Sequence, residues 1–352
     1  MGTRNIFRLL ICLTPWLPGQ LSADTWPLEV RKDPFDYASP STLTAYAPLP
    51  AGDRPWRFCV SYPHLKDAYW LSVNYGMVQE ARRLGVGFRL VEAGGYPNLK
   101  RQIEQITDCV AQGADALIVG TVSFDGLTPA ITELARNVPV IAAVNDIADP
   151  GITAKAGVSW YDMGAAAGRV IAEKHPAGSD PVRLAWFPGP RGAGWVEFVD
   201  LGFREAIDGS AATVVETKYG DTGREIQVTL VEELLESGIE VDYIVGSAPA
   251  AEAAVSILRA RGLGDRIGVV SDYMTHPVLR GLRRGRILAA PSDFPILQGR
   301  LAIEMATRAV EGSLEIRHAG PAIVTVTGDS LDLLGTDASL APASFIPVFE
   351  VE

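Results

Sequence analysis

Histidine and cysteine are scarce in this 352-residue chain, four and three respectively, which leaves little room for a metal site built on those ligands. Positive charge is also in deficit: 31 Lys and Arg stand against 42 Asp and Glu, for a formal charge of −11. No basic stripe offsets that deficit, which argues against nucleic acid as a partner. Past the first two dozen residues there is no apolar run of about 18, so the body of the chain is not expected to enter a membrane. Reactive motifs are missing as well. There is no Walker A loop and no G-x-S-x-G elbow, and Gly94-Gly95 lacks the spacing of a dinucleotide fingerprint. What the chain has in quantity is apolar residues, 47% against 21% charged, enough for a sizeable core. Its length suits two domains or one large one.

Residues 1–23 read as a secretory signal. Arg4 and Arg8 supply the positive start, Leu9 to Leu17 a short apolar core, and Leu21-Ser22-Ala23 a cleavage site before Asp24. The alternative, an N-terminal membrane anchor, asks for a longer apolar run. Losing Arg4 and Arg8 takes the charge from −11 to −13. The expectation is an exported, acidic, periplasmic protein. Export permits a disulfide between Cys59 and Cys109, with two separately buried thiols as the alternative.

Residues 24–56 carry Pro27, Pro34, Pro40, Pro48, Pro50 and Pro55, and look like an extended arm. From Arg57 strand-like and helix-like runs alternate. Strands are expected at 57–62, 87–92, 116–119, 140–144, 182–187, 213–219, 243–245 and 267–270. Helices are expected at 71–84, 98–112, 127–137, 196–207, 223–237, 250–261 and 278–284. This is the βαβ rhythm of parallel sheets. The expected fold is α/β and two-lobed, the lobes joined near Ala156–Trp160. Residues 57–157 with about 294–318 form the first lobe, and 158–293 with about 319–352 the second.

Ligands of open parallel sheets bind beyond the carboxyl ends of the strands. Those ends carry Tyr62 to Trp70, Gly94-Gly95-Tyr96, Thr121, Asn145-Asp146, Trp160-Tyr161-Asp162, Asp272-Tyr273 and Ser292-Asp293. Aromatic rings recur there. Tyr69, Trp70, Trp160 and Tyr273 could converge as a box for a methylated cation, each ring face contributing roughly 0.5–2 kcal/mol when desolvated. Asp67 or Asp272 could supply the opposing charge, and a Tyr hydroxyl or Trp N–H could donate to a ligand oxygen. The plainer reading of the same rings is ordinary core or cleft-wall packing. The four histidines read as structural or surface groups. No constellation for catalysis emerges, so no cofactor is expected and a binding protein fits better than an enzyme.

Asp115-Ala116-Leu117-Ile118, Pro139-Val140 and Gly202-Phe203-Arg204-Glu205-Ala206 resemble the ribose-type periplasmic binding proteins, a resemblance running from about Arg57 to Val326. More specific are the stretch from Tyr62 to Met77, Glu92 to Asn98, Tyr243 to Ala248, and Gln298-Gly299-Arg300-Leu301. These resemble the branch of that family that senses trimethylamine N-oxide. The resemblance implies a two-lobed protein that binds trimethylamine N-oxide and reports it to a periplasmic sensor domain of a histidine kinase. Carried over by position, the ligand box is Tyr69, Trp70, Trp160 and Tyr273 with Asp67 beside them. Sugar binders usually place Asn-Asp where this chain has Gly246-Ser247, so the clamp for sugar hydroxyls is partly erased. The other reading within the fold is the solute-binding subunit of an ABC importer for a sugar or methylated amine.

Overall fold

The computed structural model describes residues 25–352. The expected signal, residues 1–23, lies outside them. The chain opens with β1 (Trp26–Arg31) and β2 (Ser41–Tyr46), then alternates: β3 (Arg57–Tyr62), α1 (Ala68–Leu84), β4 (Gly87–Glu92), α2 (Leu99–Ala111), β5 (Ala116–Val119), α3 (Thr128–Leu134), β6 (Val140–Ala143) and β7 (Ala154–Ala156). The second half follows as α4 (Trp160–Lys174), β8 (Val182–Gly189), α5 (Val196–Ile207), β9 (Ala212–Tyr219), α6 (Arg224–Glu236), β10 (Tyr243–Gly246), α7 (Ala248–Ala260), β11 (Gly268–Ser271) and α8 (His276–Arg283). It closes with β12 (Ala289–Ser292), α9 (Pro295–Val310), β13 (His318–Pro321), β14 (Val324–Thr327) and β15 (Glu350–Val351).

Two main sheets result. The first has nine strands in the order β15-β4-β3-β5-β6-β7-β13-β1-β2, and the second has four, β11-β10-β8-β9. From β4 through β7 to β13 the first sheet is parallel, and the second is parallel throughout. Cys59, Val60, Leu117, Ile118, Val140 and Ile141 are fully buried, because helices cover both faces and parallel strands must be apolar on both. The α/β, two-lobed expectation describes this architecture.

Three sequence expectations need correction. The segment expected at 24–56 as an extended arm is, over its described residues, a hairpin: β1 and β2 pair antiparallel, and β1 adds to β13 with Leu28 opposite Pro321. The prolines disguised an alternating strand in which Trp26 and Leu28 point inward. The last segment, assigned to the second lobe, is shared. β13 belongs to the large sheet, β14 pairs with β12, and Val351 of β15 pairs with Phe88 to cover the edge of the large sheet. Lastly, α4 and α9 were not foreseen as helices. Cys59 and Cys109 form a disulfide with a Cα–Cα distance of 5.9 Å, tying β3 to the end of α2.

Candidate functional site

The cleft is lined from both sheets by residues that follow strand carboxyl ends. After β3 the chain turns through Asp67, which caps α1. Its Oδ1 accepts the Tyr69 N–H at 2.9 Å, and this cap sets Tyr69 and Trp70 in the first helical turn, facing inward. After β6, Val144 is held at φ +68, a conformation a β-branched residue avoids. Its carbonyl accepts the Trp160 indole N–H at 3.0 Å. Trp160 opens α4, where Ser159 caps the helix by accepting the Asp162 N–H at 3.1 Å. Phe294, next to the Asp293 that accepts the Tyr69 hydroxyl, is also held at positive φ, +53. Backbone strain of this kind persists only where the surroundings over-determine it, and it gathers at binding sites.

All five residues expected from the sequence line one cavity: Asp67, Tyr69, Trp70, Trp160 and Tyr273. Ring centroids lie 5.4 Å apart for Tyr69 and Tyr273, 6.4 Å for Tyr69 and Trp160, and 6.3 Å for Trp160 and Tyr273. Four further residues complete the lining: Tyr96, Asn145, Trp195 and Thr222. Trp195 packs 5.0 Å from Trp160 and 6.1 Å from Tyr273. Tyr96 and Asn145 are strand-end groups to which the sequence assigns no role in the box. Trp195 and Thr222 also follow strand ends, of β8 and β9, so the strand-end rule extends to them. The cavity among these residues has a volume of about 10 Å³, the space of about one water molecule, so the rings are packed nearly shut.

Most polar atoms of the lining are already engaged. The Tyr273 hydroxyl donates to Asp67 Oδ2 at 2.5 Å, and the Tyr69 hydroxyl donates to Asp293 Oδ2 at 2.6 Å. Tyr96 differs. Its oxygen accepts from Asn145 Nδ2 at 3.0 Å and from Trp195 Nε1 at 3.1 Å, which fills both lone pairs and leaves the O–H to donate. Burial pushes that hydroxyl's pKa up, against the opposing hydrogen bonds, so Tyr96 stays a neutral donor. Burial likewise raises the Asp67 carboxyl, opposed by the bonds from Tyr273 and the Tyr69 amide. Asp272, the other candidate for the opposing charge, does not line the cavity. It is fully buried, and among the described residues neither carboxylate oxygen has a hydrogen-bond partner. Burial holds its pKa well above the ordinary range.

The arrangement offers ring faces to a compact cation and the Tyr96 hydroxyl to an oxygen. Among the described residues, no group of three or more His, Cys, Asp and Glu could hold a metal ion, and no helix is long and apolar enough to cross a membrane. Comparison with known proteins places these features in context. Residues 58–314 match the family model described as the periplasmic binding protein domain. Periplasmic protein TorT of Escherichia coli O157:H7 is 41% identical over 310 residues, covering 88% of each chain. A solved complex of the TorS sensor domain with TorT in the presence of TMAO gives a TM-score of 0.76 at 41% identity, covering 84% of this chain and 99% of that one. An ABC transporter solute-binding protein from Bradyrhizobium sp. BTAi1, solved with bound bis-tris, gives a TM-score of 0.78 at 46% identity, covering 96% and 99%.

Proposed function

We propose a function from one premise: the chain belongs to the periplasmic binding proteins, in the branch that holds TorT. On that premise it works in the periplasm, binds trimethylamine N-oxide between its lobes and reports it to the sensor domain of a TorS-like histidine kinase, which controls trimethylamine N-oxide respiration. The observation that carries the reading is the cavity: rings of Tyr69, Trp70, Trp160 and Tyr273 around a small space, with Asp67 on one wall and a free hydroxyl at Tyr96.

The chemistry of the ligand matches those groups one by one. Its three methyls surround a cationic nitrogen, and electron-rich ring faces attract such a cation by roughly 0.5–2 kcal/mol each when water is excluded. The Asp67 carboxylate adds a negative field on the same side. The ligand's anionic oxygen needs a donor, and Tyr96 is placed to provide one. A hexose would instead need many paired donors and acceptors, which rings engaged with one another do not offer. The same engagement supports binding over catalysis, since the carboxylates and hydroxyls of the cleft bond each other and none is poised as a base beside a nucleophile.

One observation favours a second reading. The Bradyrhizobium relative, a transporter component with a bound amine buffer, is as similar to this chain as TorT is. A solute-binding subunit of an importer for a sugar or methylated amine therefore stays in view. Titration calorimetry with trimethylamine N-oxide, ribose and bis-tris distinguishes the ligands. Co-purification with a TorS periplasmic domain then distinguishes sensor from importer. Absence of binding to both the amine oxide and the kinase domain overturns the first reading.

A further inference from the structure

The lobes also meet beside the ring cavity, through a histidine. His64 lies between β3 and α1, on the large sheet, whereas Asp221 and Thr222 lie between β9 and α6, on the four-stranded one. His64 is fully buried. Its Nδ1 accepts the Lys66 N–H at 3.3 Å, which leaves the proton on Nε2. Nε2–H donates across the cleft to Thr222 Oγ1 at 3.0 Å and stands 3.3 Å from Asp221 Oδ1. Asp221 Oδ1 also accepts the Thr222 N–H at 2.7 Å.

The backbone is shaped for this approach. Gly95, at φ +147 in the first lobe, lies so close to Asp221 that a Cβ there would stand 2.8 Å from Oδ2. On the opposite flank Gly194 of the second lobe meets the Asp146 carbonyl of the first, where a Cβ would stand at 1.8 Å. The ring cavity sits between these two contacts. Each lobe builds its own sheet, so bonds that cross the cleft form only when the lobes close. Their strength therefore weighs on closure and not on the folding of either lobe.

We infer that His64, Thr222 and Asp221 form a latch that sets the closed fraction of the protein before ligand arrives. They act as positioning residues for the cleft ligand, an inference that rests on the cleft being the binding site. Apparent affinity scales with the fraction of molecules already in the binding-competent state, so weakening the latch lowers affinity without touching a ring.

The test is an interlobe distance in ligand-free protein. Spin labels on Lys100→Cys of α2 and Glu225→Cys of α6, both exposed, report separation by pulsed dipolar spectroscopy on the exported protein. The expected result is a closed component in the parent that shrinks in His64→Ala and in Asp221→Asn, with His64→Gln, which keeps a donor, lying between. Thermal unfolding of each variant checks that both lobes fold. If His64→Ala does not fold, Thr222→Val with Asp221→Asn, in a loop of the other lobe, gives the same reading. A parent with no closed component, or identical distributions in parent and variants, overturns the latch. Titration with trimethylamine N-oxide should show affinity about tenfold lower in the variants. If distances shift as expected while the amine oxide binds none of the proteins, the latch stands and the proposed ligand falls.

Discussion

Tyr273→Phe removes one hydroxyl from the cleft and leaves the ring in place. That hydroxyl donates to Asp67 Oδ2 at 2.5 Å, from the second lobe to the first. Both residues are nearly inaccessible, Tyr273 at 3% and Asp67 at 4% exposure. A hydrogen bond to a buried charged group contributes about 1.5–3 kcal/mol, and removing one partner leaves the other unsatisfied. The penalty falls on the closed form alone, because in the open form water reaches Asp67 and replaces the lost donor. Closure, and with it the affinity for trimethylamine N-oxide, should drop by the same free energy. At about 1.4 kcal/mol per factor of ten, the expected weakening is about 10- to 150-fold.

Titration calorimetry on parent and variant reads that change directly, and unfolding without ligand should move little. Tyr161→Phe is a suitable control, since the Tyr161 hydroxyl donates to Glu205 at the surface, 2.6 Å away, within one lobe. It should bind like the parent. An affinity for Tyr273→Phe within twofold of the parent, in a folded protein, would refute the view that closure is coupled to binding through Asp67.

Trp160→Ala removes one ring face and the bond to the strained Val144 carbonyl, and should weaken amine-oxide binding at least tenfold; unchanged affinity in calorimetry sinks the box assignment. Replacing Cys59 and Cys109 by Ala opens a crosslink across 50 residues, and chemical denaturation should show a loss of about 2–4 kcal/mol. His318 is 1% exposed, its Nδ1 accepting the Phe35 N–H at 2.9 Å; burial first, then the charges of Lys155 and Arg31, lower its pKa to about 3. The unfolded chain takes up this proton near pH 6.5 and the folded chain does not until near 3, so His318 should cost stability progressively as pH falls between them. His318→Gln should flatten urea-derived stability against pH in that window by up to about 1.4 kcal/mol per unit, and an unaltered slope counts against the mechanism.

The parallel strands were legible because burial on both faces makes them short continuous apolar runs such as Ala116–Val119. Helices α4 and α9 were not, and the reason is chemical. Each carries a glycine where a neighbouring backbone comes close: a Cβ on Gly164 of α4 would stand 2.0 Å from the Val199 carbonyl of α5, and one on Gly299 of α9 would stand 2.2 Å from the Val73 carbonyl of α1. Glycine in a helix interior reads as a turn until the partner backbone that needs the space is known. The hairpin before Arg57 was hidden by prolines in the same way, its inward Trp26 and Leu28 acquiring meaning only beside β13.

The site was legible for a different reason, since its contacts have no sequence period at all. Tyr96 meets Trp195 across 99 residues, His64 meets Thr222 across 158, and Asp67 meets Tyr273 across 206. What substitutes for a period is topology. In a parallel sheet every strand delivers its carboxyl end to the same edge, and two such sheets facing one another bring those edges together. A rule about position after a strand therefore finds residues that no local pattern links, and Asp67, Tyr69, Trp160 and Tyr273 were reached that way. The rule places residues at the cleft but carries no information on which of them pair across it. His64 shows the difference: its strand-end position was visible, while its partner on the opposite lobe is fixed only by how the two sheets close.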